Sequence, residues 1–269
     1  MSDQPAAPVS APSSRVPWIV AGVSWVATLA LVAVLIVGGS GGGAASGSGT
    51  AAERGFSSAD AAARAFADAI AEGDLDTAAS MYATTSLVEG YSFTKNLEYV
   101  RAIMPQTLLP APDFNGVNAR VQAGYAGNSM LGIARSLLMP GEDPFMTIAG
   151  EAVEDAAAWE ETLSIDGFEE ISVERVDLLE PGSDDTRHAE FYTKTLEPWS
   201  GEEAREGAIL FETADGTAML GVTLIKLDGS WYVWRANSTI LGTYMNAVEL
   251  ISEADYVDVL EHGQDLVNH

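Results

Sequence analysis

Residues 217–236 read TAMLGVTLIKLDGSWYVWRA, and this stretch decides the fold. It predicts strands over Thr217–Leu227 and Ser230–Ala236. Between them stands Asp228-Gly229, a pair that tolerates the positive φ angles a tight hairpin demands. Working back along the chain, the same period-two pattern predicts strands near Gly207–Thr213, Arg187–Leu196 and Glu170–Leu179. Asp215-Gly216 and Pro181-Gly182-Ser183-Asp184 mark the turns. Antiparallel strands in sequence order imply a meander. On the last strand, Trp231, Val233 and Arg235 share one face, and Tyr232, Trp234 and Ala236 the other. Aromatic residues on both faces predict that both are covered.

Further upstream the period changes to that of helices. Ala59, Ala63, Phe66 and Ile70 fall on one side of a helix over Ser58–Glu72, with Ser57 as the expected cap. Asp60, Arg64 and Asp68 lie on the opposite side. Gly73 stops this helix, and Asp74 caps a second over Leu75–Ala83. From Thr84 to Leu163 the chain is broken by Pro105, Pro110, Pro112, Pro140 and Pro144. Short helices are predicted at Ser129–Met139 and Glu151–Leu163. A final segment, Tyr244–Glu261, reads as partly helical, with Met245, Val248 and Leu250-Ile251 as candidate buried positions. Helices first and a meander after give an α+β domain, with the N-terminal helices packed on a curved antiparallel sheet.

The N-terminal part has a different character. Val16–Val37 is a run of 22 residues without a charge, with Val, Ile and Leu dominant. As a helix it is about 33 Å long, enough to cross a hydrocarbon core of about 30 Å. The run predicts a single transmembrane helix, with Trp18 near one interface. It is longer than the hydrophobic stretch of a cleaved signal peptide, and cleavage at Gly43-Ala44-Ala45-Ser46 is the alternative. Arg15 and the terminal amine precede it, and no basic residue follows until Arg54, so Met1–Arg15 is expected to be cytoplasmic and the rest extracytoplasmic. Residues 1–15, with Pro5, Pro8 and Pro12, form a disordered stub. Residues 38–55 form a Gly/Ser/Ala linker spanning about 23 Å root-mean-square. Gly38-Gly39-Ser40-Gly41-Gly42 matches the G-x-S-x-G nucleophile pattern in letters only, because it stands in linker and not on a strand-to-helix turn. Residues 56–269 are then one acidic domain with an insertion near 85–150.

Composition narrows the chemistry. The chain carries 13 basic and 39 acidic residues, a net charge of −26. Arg15 and Asp3 are the sole charges before residue 51, so everything beyond it carries the same net −26. Such a surface repels nucleic acid and anionic lipid, and it suits a soluble domain held beside a membrane. No cysteine is present, which removes disulfides, thiolate nucleophiles and Cys-based metal sites. The three histidines, His188, His262 and His269, are too few for a His-rich metal centre, and no D-x-[DN]-x-[DN]-G calcium loop occurs. No metal or cofactor is therefore expected.

Two pieces of the chain resemble the nuclear transport factor 2-like superfamily of cystatin-like cone folds, in its membrane-anchored bacterial form. One is Ala61–Ile70 running into Gly73-Asp74 and then Ala78-Ala79-Ser80-Met81-Tyr82. The other is Leu224–Val233 with its Asp-Gly-x-Trp turn. The resemblance implies a bent antiparallel sheet wrapping helices around a pocket. It implies no activity, because this fold hosts enzymes, binders and spacers.

Candidate site residues come from the strands. A strand over Arg187–Leu196 would place His188, Glu190, Tyr192 and Lys194 on one face. A buried His–Glu pair there could do acid–base work, although a solvated sheet face is the ordinary explanation. Tyr232, Trp234 and Arg235 complete a candidate pocket or partner face. An isomerase-type site would need a carboxylate base in an apolar pocket and a donor for the enolate. No position matches such a motif, and no catalytic residue is assigned. In the apolar run, Gly22, Ser24 and Thr28 are small enough for close packing against another membrane helix. The expected function is a non-catalytic, single-pass, extracytoplasmic binding or accessory domain of a bacterial envelope, contacting a protein partner or a small ligand. The alternatives are a pocket enzyme or lipophilic-ligand carrier, and an accessory subunit of a transporter or secretion complex.

Overall fold

The computed structural model describes residues 52–105, 107–140, 160, 162–179, 192–238, 240–243 and 247–262. The segment 16–37 lies outside them. Among the described residues no helix is long and apolar enough to cross a membrane.

Helix α1 spans Ala59–Ala71, and its apolar stripe is buried as the sequence periodicity requires. The cap is Ser58, whose hydroxyl accepts from Ala61 N at 3.1 Å, and not Ser57. Arg64 and Asp60 pair at 3.1 Å on the exposed side. Gly73 takes a φ of 69°, where a Cβ is strained, and this ends the helix run. Asp74 then caps α2 (Leu75–Ser80), accepting from Thr77 N at 3.0 Å. Those bonds to Thr77 hold the Asp74 carboxyl below its usual range.

Two short helices that the sequence reading did not find follow: α3 (Thr85–Gly90) and α4 (Phe93–Val100). The expected short helix at Ser129–Met139 is the end of α5, which runs from Asn115 to Leu138. Residues 104–107 belong to a separate unit. They hold a local turn in which Thr107 N donates to the Met104 carbonyl at 2.9 Å.

Four strands, β1 (Ser172–Leu178), β2 (Glu203–Thr213), β3 (Gly216–Leu227) and β4 (Ser230–Arg235), form an antiparallel meander in the order β1-β2-β3-β4. A two-residue strand, β5 (Glu249–Leu250), pairs with β3. Asp228 and Gly229 both have positive φ, 46° and 74°, as the hairpin chemistry requires. Helix α6 (Glu253–His262) closes the described chain. The molecule is thus an α+β fold.

The strand expected over Arg187–Leu196 is corrected. Residues 187–191 lie outside the described set, and 192–196 are helical, running into a 3-10 turn at Glu197–Trp199. Tyr192, Thr195, Leu196, Pro198 and Trp199 are the buried or half-buried positions, and 192, 195, 196 and 199 repeat at the spacing of three and four that belongs to a helix.

The sheet has two covered faces. Its inner face, with Ile209, Phe211, Leu220, Val222, Leu224 and Val233, packs on α1 and on residues of α2 and α5. Phe66 is fully enclosed there and meets the Tyr82 ring edge-on at 5.7 Å between centroids. The chain joins the domain at Glu53. Its Oε2 accepts from Thr84 N, Thr84 Oγ1 and Ser86 N at 3.1–3.2 Å, and from Thr85 N, so it caps α3 from outside. Phe56 and Trp231 exchange backbone bonds of 2.9 and 2.8 Å along the edge of β4. Glu53→Ala removes the cap, and the expected loss is about 1–2 kcal/mol in urea unfolding.

Candidate functional site

The outer face of the sheet carries two apolar clusters. One gathers Leu87, Leu196, Ile225, Leu227 and Trp234 beneath α3 and the 197–199 turn. The other gathers Ala208, Leu210, Met219 and Leu241 beneath Tyr256 of α6. Between them the ladder places a polar row. Glu206 of β2 faces Thr223 of β3, and Thr223 faces Arg235 of β4.

That row depends on an irregularity. Leu224 pairs with Val233, but the preceding Thr223 pairs with Arg235, so Trp234 is the extra residue of a bulge. The bulge re-aims the end of β4. Trp231 and Val233 stay in the inner core, and Ala236 joins them. Arg235 moves to the outer face. The sequence alternation had put Arg235 with Trp231 and Val233, and Ala236 with Tyr232 and Trp234; both assignments are corrected.

Glu206 is 3% exposed and serves the chain that follows β4. Its Oε2 accepts from the Ser238 hydroxyl and from Ile240 N, the latter at 2.9 Å. Leu241 N donates back to Ser238 Oγ at 3.1 Å. Ser238 N donates to Thr243 Oγ1 at 2.7 Å, and Thr223 Oγ1 donates to the Asn237 carbonyl at 2.7 Å. This crossing rests directly on Gly221. A Cβ there would stand 2.8 Å from Ser238 N and collide with Thr243 Oγ1.

Arg235 is half-buried, and its guanidinium lies over the Trp234 ring at 4.4 Å. Burial lowers its pKa from the ordinary arginine value, while the nearby Tyr99 and Glu206 oppose that shift. Tyr99 of α4 is 42% exposed and shares a 3.0 Å hydrogen bond with buried Thr195. Trp199 packs against the same cluster as Trp234, with the Tyr91 ring 5.1 Å away.

Of the six residues named from sequence for a pocket or partner face, the structure therefore brings Trp234 and Arg235 together, and Tyr232 packs against the cluster that holds Trp234. Tyr192 is on the helical segment 192–196, not on a strand. Tyr232 is turned against Gly55, where an added Cβ would meet its ring at 2.8 Å. His188 and Glu190 lie outside the described residues, as do Gly22, Ser24 and Thr28. Sequence reasoning missed Glu206, Tyr99 and Thr195. Among the described residues, no group of three or more His, Asp or Glu is arranged to hold a metal ion.

Two tyrosines are buried deeply enough to matter for pH. Burial pushes the Tyr82 hydroxyl above its ordinary value, with Ser129 opposing. Burial also raises Tyr256, and its bond to Asp177 (2.9 Å) raises it further. The folded state holds these protons after the unfolded chain begins to release them at its ordinary value of 10.0. Their share of stability is full below that pH and is lost as the pH climbs above it. The expected loss is up to about 1.4 kcal/mol per pH unit for each tyrosine. Urea midpoints measured on both sides of that value check this, and Tyr256→Phe removes that residue's share of the slope.

No family model matches this chain, and no curated protein matches it. Among solved structures, a cystatin-like protein from Ruminococcus gnavus is similar, at 15% sequence identity and a TM-score of 0.48. The likeness covers 79% of this chain and 45% of that one, so this chain spans less than half of that protein's length.

Proposed function

We propose that this chain is a single-pass, membrane-tethered accessory domain of a bacterial envelope. It binds a protein or small-molecule partner outside the membrane and does not turn over a substrate. The uncharged run Val16–Val37 and the Gly/Ser/Ala linker behind it supply the tether. The observation that carries binding over catalysis is the packing of the inner sheet face. Between the helices and that face, Phe66, Ile70, Met81, Ile133 and Leu137 fill the interior, each 0–2% exposed. The outer face instead presents Trp, Tyr and Arg side chains, the residue types that dominate binding energy at protein surfaces.

The test is cross-linking and affinity purification of the full chain from its native membrane, beside a chain lacking residues 16–37. A third chain carries Leu at Gly22, Ser24 and Thr28. A stoichiometric partner that disappears when 16–37 is deleted supports the reading. Its loss in the Leu variant as well makes the chain a subunit assembled through the membrane helix. Recovery of the same partner without 16–37 contradicts the tether.

A further inference from the structure

Among the described residues, four cations are half-buried: Arg175, Arg205, Lys226 and Arg235. Arg175, Arg205 and Lys226 each meet a carboxylate, at 2.7–3.1 Å. Arg235 forms no such pair among the described residues. Glu206 is the carboxylate whose charge reaches it, but that group is engaged by Ser238 and Ile240. A half-buried guanidinium has lost part of its hydration, and no carboxylate of the described chain answers its planar fork of donors. The fork matches the two oxygens of a carboxylate.

We propose that Arg235, backed by Trp234 and rimmed by Tyr99, binds a singly charged carboxylate that carries an apolar body. The proposal rests on the reading of this domain as a binder and names the chemistry its outer face takes. Three features select that ligand. The Trp234 ring lies 4.4 Å from the guanidinium carbon and backs it on one side, leaving its donors to a planar anion. Trp199, half-buried against the cluster that holds Trp234, offers apolar surface for the rest of the ligand. The net charge of −26 repels a doubly charged phosphate about twice as strongly as a carboxylate. The shared chemistry is an apolar carboxylate, found both at a peptide C-terminus and on a free organic acid.

Ligand-observed NMR and calorimetry on the full-length protein test this with four probes: N-acetyl-phenylalanine, phenylacetate, the neutral phenylacetamide and inorganic phosphate. Both acids are expected to bind saturably, with the amide and phosphate at least about tenfold weaker. Arg235→Gln is expected to lose about tenfold for the acids, and Arg235→Lys to recover part of it. Tighter binding of N-acetyl-phenylalanine assigns the site to a peptide terminus; tighter binding of phenylacetate assigns it to a free acid. Equal binding of acid and amide by the unaltered chain overturns the proposal and needs no variant to fold. So does phosphate binding that matches the acids, undiminished acid binding by folded Arg235→Gln, or no saturable binding at all. A native partner found by cross-linking alongside any of these failures would leave the tethered-binder reading standing without this site.

Discussion

Phe66→Ala is expected to cost about 3–5 kcal/mol, the usual range for emptying an aromatic site in a closed core. Phe66 is 0% exposed and lies where α1 crosses the inner sheet face. Its neighbours are small or already committed: Ala62, Ala63 and Ala67 are on its own helix, and Tyr82 leans on its ring edge. Alanines cannot move in to fill the void, so the cavity term is retained almost in full. For a unit of this size the loss corresponds to a fall of about 10 °C in the thermal midpoint. Differential scanning calorimetry reads it directly. A small hydrophobic ligand that restored the midpoint of Phe66→Ala would show that the vacated space is closed and apolar.

The second large effect is at Gly221. Gly221→Ala puts a methyl group against Ser238 N and Thr243 Oγ1. Backbone cannot give way there without pulling Ser238 and Ile240 from Glu206, and a buried carboxylate stripped of donors is expensive. Overpacking and the lost bonds together are expected to cost about 3 kcal/mol or more. The matching control is Gly127→Ala on α5, where an added Cβ meets nothing within 4 Å. That change is expected to stabilise by about 0.5–1 kcal/mol, because alanine loses less entropy in a helix. Urea midpoints moving in opposite directions for two Gly→Ala changes would confirm that contact at Gly221, not backbone freedom, sets its identity.

These two positions also show what the sequence could and could not reveal. Local signals carried far. Asp228-Gly229 announced its hairpin, Gly73-Asp74 announced the break between α1 and α2, and the spacing of Ala59, Ala63, Phe66 and Ile70 announced the buried stripe. Each depends on a few neighbouring residues and on backbone geometry. The long helix α5 was legible only at its end, because Gly116, Gly124 and Gly127 dilute its pattern, and its packing on α2 and α3 is a long-range property. The helical segment at 192–196 hid behind a formal alternation of His188, Glu190, Tyr192 and Lys194.

The candidate site was less legible still. Trp234 and Arg235 stood out as residue types, but the bulge that turns Arg235 to the outer face is a property of the β3–β4 register. Glu206 gave no signal, since its partners Ser238 and Ile240 lie more than thirty residues away. The same is true of Glu53 and α3. Long-range polar pins of this kind leave no periodicity to read.

The central claim is a domain tethered to a membrane from its outer side. It is tested most directly by fractionating cells that express the full chain, washing the membranes at alkaline pH, and adding protease from outside. The account predicts that the chain stays with the washed membrane, that protease added outside releases the acidic domain, and that deleting residues 16–37 frees the protein from the membrane. A chain that leaves with the wash, or a domain that protease reaches only after the cells are broken, would contradict it.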